Sequence, residues 1–336
     1  MASIFISLLS SCTDDNSSNA NGTIAIESVS EAVEGPLTPT DIGNPGNMYI
    51  IQGTGFIGVQ KIYFNDVDTY FNPTLVTDTN IFVTIDLDTP YENGSSELKV
   101  VGSNGTAIYH FIIAPPAPIL KSYNPVNAVS GDEVTIYGSF FLDPVVTFGT
   151  VPATVISNTI DQIIVKVPDG VNQSYPTVTT ISGIATAKVA VGTAIYDDVF
   201  YGIDGLTGSW GVTNLNIENT VKSEVAQGVK AIKLDITSWS GFQIDMWNNG
   251  GHPVPANATG IRFQMKLQAD AKMRIIVSGD WGHEVWFNLT TEYTTNLVKW
   301  SDLGMSGPPA TIGSIVFGSD GTDTTFYIDN IGFALK

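Results

Sequence analysis

The runs Ile136-Tyr137-Gly138-Ser139-Phe140-Phe141, Val145-Val146-Thr147-Phe148-Gly149 and Ile163-Ile164-Val165-Lys166-Val167-Pro168 follow one another within 33 residues. Each is rich in β-branched and aromatic residues and bounded by turn formers, the signature of short strands. The same order occurs earlier, as Ile51-Gln52-Gly53-Thr54-Gly55-Phe56, Ile62-Tyr63-Phe64-Asn65 and Ile81-Phe82-Val83-Thr84-Ile85. In both places a strand breaks at a glycine-containing turn that carries an aromatic. A second strand then ends in Phe plus Asn or Gly, and a third alternates apolar with polar residues. Two copies of one β-sandwich are therefore expected. Between them Ala114-Pro115-Pro116-Ala117-Pro118 cannot continue a hydrogen-bonded ladder and reads as a stiff, extended linker.

Composition agrees with an all-β chain. Only 14% of the 336 residues are charged, and the formal net charge is −19. Before Ile195 there are 5 basic against 18 acidic residues, and from there on 9 against 15, so both parts repel nucleic acid and anionic lipid. A neutral ligand suits this field better than a polyanion.

From Ile195 onward the pattern changes to longer alternating strands. In Ile261-Arg262-Phe263-Gln264-Met265-Lys266-Leu267-Gln268 the odd positions are apolar, which commits one face to a core and turns Arg262 and Gln264 the other way. By the same phase Gln243, Asp245 and Trp247 oppose Phe242, Ile244 and Met246, and Trp286 opposes Val285 and Phe287. All six tryptophans (210, 239, 247, 281, 286, 300) and the only two arginines, Arg262 and Arg274, lie in this tail. Flat aromatic faces and planar donor forks together suit sugar rings, which offer C–H faces for stacking and hydroxyl edges for hydrogen bonds. Trp286, Trp281, Trp247 and Trp239 are the expected stacking residues. Arg262, Arg274, Gln264, Gln243 and Asp245 are the expected polar strip, with the two arginines on neighbouring strands. Trp210 and Trp300 are expected to be packing residues.

Catalytic alternatives are poorly supplied. Carboxylates in the tail are scattered singly, whereas a glycosidase needs two flanking the scissile bond. No Gly-x-Ser-x-Gly elbow is present, and the three histidines (110, 252, 283) do not make a zinc-ligand set. The adjacent pair His283-Glu284 would point to opposite faces of a strand. A surface adhesin or assembly scaffold, with tryptophans as protein-interface anchors, is the second class of reading.

Several stretches carry resemblances. Pro118-Ile119-Leu120-Lys121-Ser122-Tyr123-Asn124-Pro125 with Ser130-Gly131-Asp132-Glu133-Val134-Thr135-Ile136-Tyr137-Gly138 resembles the immunoglobulin-like IPT/TIG domains, and the earlier copy, from Ile24, resembles them more loosely. Asp197-Asp198-Val199-Phe200, Gly228 to Leu234 and Phe326-Tyr327-Ile328-Asp329-Asn330-Ile331-Gly332-Phe333 resemble the jelly-roll carbohydrate-binding modules. That resemblance implies no organic cofactor but allows a structural calcium at Asp198 and Asp329. The apolar run ending Leu9-Ser10-Ser11-Cys12 looks like a bacterial lipoprotein signal with Cys12 as the lipidated residue, followed by the acidic Thr13-Asp14-Asp15-Asn16.

The expected organisation is a signal remnant and linker over 1–22, IPT/TIG-like domains over 23–115 and 116–194, and a jelly-roll sandwich over 195–336. In this order the chain resembles the cell-surface glycan-binding lipoproteins encoded in polysaccharide-utilisation loci. The resemblance implies an outward-facing outer-membrane protein held by lipid at Cys12. Its expected partners are a polysaccharide ligand, a SusC/SusD-like outer-membrane transporter and a surface glycanase. It would not be an enzyme, and among neutral glycans the expected ligand is a β-glucan, laminarin-type β-1,3 or mixed-linkage, ahead of xyloglucan.

Overall fold

A computed structural model describes residues 23–207 and 210–336. The expected lipidation site, Cys12, lies outside the described residues. The chain is all-β and divides into two compact units, 1–116 and 117–336.

In the first unit one antiparallel sheet takes Ala25–Glu31, Met48–Thr54, Asn80–Thr84 and Phe71–Val76. The other takes Val67–Thr69, Val59–Phe64, Glu97–Gly102 and Gly105–His110. Ile51, Phe56, Phe64, Ile81 and Val100 fill the space between them. The second unit begins with the same design. Ile119–Asn124, Glu133–Ser139, Gln162–Lys166 and Thr154–Asn158 face a sheet of Val151–Pro152, Val145–Phe148, Pro176–Thr180 and Gly183–Thr186.

The repeated glycine-aromatic motif has one structural cause in both copies. Gly53 and Gly138 each sit opposite a bulge in the preceding strand, where the register slips between Ile26 and Ser28 and between Leu120 and Ser122. A Cβ on Gly53 would lie 1.9 Å from the Ala25 carbonyl oxygen, and one on Gly138 would lie 2.0 Å from that of Ile119. The rings of Phe56 and Phe141 fold back over the same two glycines and are fully buried. Only glycine admits this approach of backbone and ring.

The C-terminal sandwich, its strands numbered within it, is built from β1 (Ala194–Asp197), β2 (Ala231–Ile236), β3 (Gly241–Asp245), β4 (Ala258–Leu267), β5 (Ala271–Val277), β6 (Val285–Leu289), β7 (Thr294–Lys299), β8 (Ser314–Ser319) and β9 (Thr324–Leu335). The long β9 pairs with β1, β2 and β4, and β4 with β7; Val199–Phe200 and Val212–Asn219 complete this seven-stranded sheet. The facing four-stranded sheet runs β3-β8-β5-β6. Ile261, Phe263, Met265 and Leu267 point into the core as their alternation requires, against Phe242, Ile244, Ile275 and Phe317 of the other sheet. Trp300, expected to be a packing residue, is buried there and its indole N–H donates to the Ala258 carbonyl, 2.8 Å.

Within this second unit the two sandwiches are joined by polar contacts. Asn127 exchanges two hydrogen bonds with the backbone of Ala194, 2.8 and 2.9 Å. Asn124 donates to Asp197 and Asp198, 3.1 and 3.0 Å, and the Val126 N–H donates to Asp197.

Candidate functional site

The outer face of the four-stranded sheet carries the aromatic cluster. Because Met273, Ile275 and Val277 fill the core, Lys272, Arg274 and Ile276 face outward from β5. On β6 the same phase turns Trp286 and Asn288 outward. Register then sets one row across all four strands: Gly241, Gly318, Arg274 and Trp286 are successive cross-strand partners. Two glycines in that row leave room for what lies over them. A Cβ on Gly318 would stand 3.1 Å from Arg274 Nε, and one on Gly241 would stand 2.9 Å from the Trp210 ring. Beneath, Ile276 and Val316 are buried although they point away from the main core.

Arg274 is the centre of the cluster. Its guanidinium carbon lies 5.3 Å from the Trp281 ring centroid, 5.6 Å from that of Trp286 and 6.0 Å from that of Trp239, all within cation–π range. Glu284 ties it down, accepting from Arg274 Nη1 at 2.8 Å through one oxygen and from Trp286 Nε1 at 3.0 Å through the other. One carboxylate thus orients both the cation and a neighbouring indole plane. His283, the other member of the adjacent pair, turns to Asp280 instead, 2.9 Å. Trp210 joins from the segment before Val212, its ring 6.2 Å from that of Trp281. It is partly exposed and belongs to the cluster, which corrects its expected role as a packing residue.

Trp239 and Trp286 both line an open recess of about 460 Å³, together with Lys272, Asn288 and Asp320. Trp239 rests against Gly321 with a left-handed backbone (φ 57), and the Asp320 carboxylate is steadied by the backbone N–H groups of Lys272 and Thr322. Flat aromatic faces beside polar side chains are what a sugar ring can lie against.

The remaining expected residues divide. Trp247 is half exposed and lies over Gly313, whose Cβ would meet its ring at 2.1 Å, so it stands beside β8 but outside the Arg274 cluster. Gln243 and Asp245 share the sheet face but are held by each other (2.6 Å). A covering segment adds the Thr207 N–H, which donates to Asp245 at 3.0 Å. Asp245 is buried for that reason and holds the segment leading to Trp210, rather than offering a free carboxylate. Arg262 and Gln264 are not on this face at all. They lie on β4 in the opposite sheet, so the two arginines are not on neighbouring strands. Arg262 is only 5% exposed, because the second sandwich covers that end of the outer face.

The suggested calcium ligands do not fit a cation. Asp329 accepts backbone N–H groups from Ala226, Gln227 and Asn330, and Asp198 accepts those of Val229 and Lys230. Both carboxylates are aimed at backbone donors, and among the described residues no group of three or more His, Cys, Asp or Glu gathers as a cation would require.

Residues 118–194 match the IPT/TIG domain family, which bears out that resemblance for the second repeat. An IPT/TIG domain-containing protein of Bacteroides ovatus is 29% identical over 144 residues; the match covers 41% of this chain and 29% of that protein's length. Among solved structures, the surface glycan-binding protein PbSGBP-B from Prevotella bryantii aligns over 92% of this chain and 98% of its own, with a TM-score of 0.51 at 14% identity. An SGBP-B from a complex xyloglucan utilization locus in Bacteroides uniformis aligns over 93% and 99%, with a TM-score of 0.39 at 14% identity. The likeness to the Prevotella protein is one of fold, and it extends over nearly all of this chain.

Proposed function

We propose that this chain is a non-catalytic, cell-surface polysaccharide-binding protein that captures a neutral glycan on the Arg274 face of its C-terminal sandwich. The observation that carries the reading is the recess that Trp239 and Trp286 line together with Lys272, Asn288 and Asp320. The indoles hold ring faces, while the amide, ammonium and carboxylate orient hydroxyls. Arg274 and Glu284 neutralise one another and fix the Trp286 plane, so the cluster presents no net charge that would select a polyanion. Trp281 and Trp210 extend the aromatic surface on one side, and Trp247 offers a further platform along β8.

The fold shared with a protein described as surface glycan-binding supports this reading. In it, 23–115 and 116–194 act as spacers, 195–336 is the binding sandwich, and a lipid at Cys12 anchors the chain to the outer membrane. The ligand is a β-glucan, laminarin-type β-1,3 or mixed-linkage, passed to a SusC/SusD-like transporter and a surface glycanase. Glu284 argues against hydrolysis, since both its oxygens are already engaged.

Shallow sites recover little beyond the cost of ordering a flexible chain, so affinity per site is about micromolar to millimolar. The test is calorimetric titration of the full chain with laminarin, mixed-linkage glucan, xyloglucan, xylan and alginate, with a reducing-end assay on the same mixtures. Saturable heat with a neutral glucan and no new reducing ends is expected. New reducing ends would make it an enzyme. Silence with every glycan would leave the tryptophans as anchors for a protein.

A further inference from the structure

We infer that the seam between the second and C-terminal sandwiches holds a site for a small oxyanion, centred on Arg262. A cavity of about 150 Å³ opens there, and three of the chain's fourteen cationic side chains line it: Arg262, Lys121 and Lys188. No aspartate or glutamate is among its lining residues. In a chain of formal net charge −19 that local balance is the reverse of the molecule's own.

Arg262 makes the site more than a patch of surface lysines. It is 5% exposed, and among the described residues no carboxylate lies within 4 Å of its guanidinium. Nη1 donates to the Asn330 carbonyl at 2.7 Å and to its side-chain oxygen, and Nη2 reaches Thr193 Oγ1 at 3.3 Å. Nε is buried with no hydrogen-bond partner. A buried guanidinium with no direct ion pair is costly unless further negative charge meets it. Burial pushes its pKa down to about 10.

Asp197 and Asp329 favour the charged guanidinium, but less than burial disfavours it, and neither is in direct contact with it. Asp197 accepts from Asn124, Val126 and Gln227, and Asp329 accepts from three backbone N–H groups. The planar fork of Arg262 suits an oxyanion, and the exposed Lys121 and Lys188 at the rim add charge. A cavity of this size accommodates a molecule about as large as benzene, so a sulfate, a phosphate or a single carboxylate group fits. Two sources share that chemistry, a free inorganic oxyanion and the carboxylate of an acidic sugar. The proposal is independent of glycan binding at the Arg274 face.

The experiment titrates the full chain with sodium sulfate, sodium phosphate and sodium glucuronate. Sodium chloride at matched ionic strength is the reference, and the readouts are binding heat and the unfolding midpoint. A saturable response above chloride is expected, weakened about tenfold or more in the Lys121→Gln/Lys188→Gln variant, whose two exposed positions leave the core untouched. Arg262→Met tests the centre directly, but it can fail to fold, and the double variant does not depend on it. A response to sulfate and phosphate identifies a free-anion site; a response to glucuronate alone identifies a sugar carboxylate. No response above chloride, or an unchanged response in the double variant, overturns the proposal.

Discussion

Replacing Trp239 with alanine separates a ligand platform from a structural indole. Trp239 is 60% exposed, and an aromatic side chain presents roughly 200 Å², so about 120 Å² is open to a ligand. A sugar stacked on one face covers about half of that, near 60 Å², which at roughly 25 cal/mol per Å² corresponds to about 1.5 kcal/mol. Trp239→Ala should therefore weaken glycan binding about tenfold. Stability should change little, because the ring loses only its distant contact with Arg274 and its lean on Gly321. Trp300→Ala is the internal control. That ring is 3% exposed and hydrogen-bonded to Ala258, so its loss should cost about 3–5 kcal/mol and lower the midpoint of the 117–336 unit by roughly 10 °C. Calorimetric titration with the glycan that gives saturable heat in the panel proposed above, paired with thermal unfolding of each variant, reads both quantities. Trp239→Ala binding like the wild type while folded would refute the recess as the site.

Three further outcomes follow from the geometry. Glu284→Gln leaves one acceptor where two oxygens served Arg274 and Trp286. Binding should fall roughly threefold to tenfold by titration, while stability changes by less than about 1 kcal/mol because the pair is partly solvated. Gly241→Val places a side chain where the Trp210 ring and Val316 converge, at 2.9 and 3.2 Å from the added Cβ, so Trp210 should leave the cluster. Acrylamide quenching of tryptophan fluorescence should rise and affinity should fall severalfold; unchanged quenching would mean that the ring is not held there. Burial lifts Asp329 to about pKa 7 against roughly 3.9 in the unfolded chain, outweighing its three backbone donors. A raised folded pKa gives stability that is fully present below about pH 4 and lost as pH rises through 7. Going from pH 8 to 6 should therefore recover about 1.4 kcal/mol and raise the midpoint of the 117–336 unit by roughly 3–6 °C, with Asp197, also raised by burial, acting in the same direction. A midpoint that falls over that interval would contradict it.

Much of the fold was legible because strand periodicity and turn chemistry are local. The repeated glycine-aromatic motif could be read as a recurrent strand break, although its cause, a bulge pressed against a glycine, lies in the neighbouring strand. Trp286 and Arg274 were legible as outward residues from alternation alone. By the same phase Lys272 and Asn288 could have been added, since each is two positions from one of them. Trp210 and Asp320 could not, because they come from loops whose placement depends on contacts with β3 and β5, including the Asp245 anchor on the covering segment.

The two arginines show where such reading stops. Arg262 and Arg274 both occupy the polar phase of a strand whose alternate residues fill the core, and nothing local distinguishes them. Alternation assigns a face, but what covers that face depends on other parts of the chain. The second sandwich folds over Arg262, removing it from water and leaving it facing a cavity lined by two lysines. Arg274 keeps some contact with water, and its guanidinium gathers three indoles and one carboxylate. The consequence can be tested in a single chain. Loss of Arg274 should impair glycan capture while leaving the anion response intact, and Lys121→Gln/Lys188→Gln should do the reverse. If either change moved both responses, the two faces would be coupled through the core between the sheets rather than acting as separate sites.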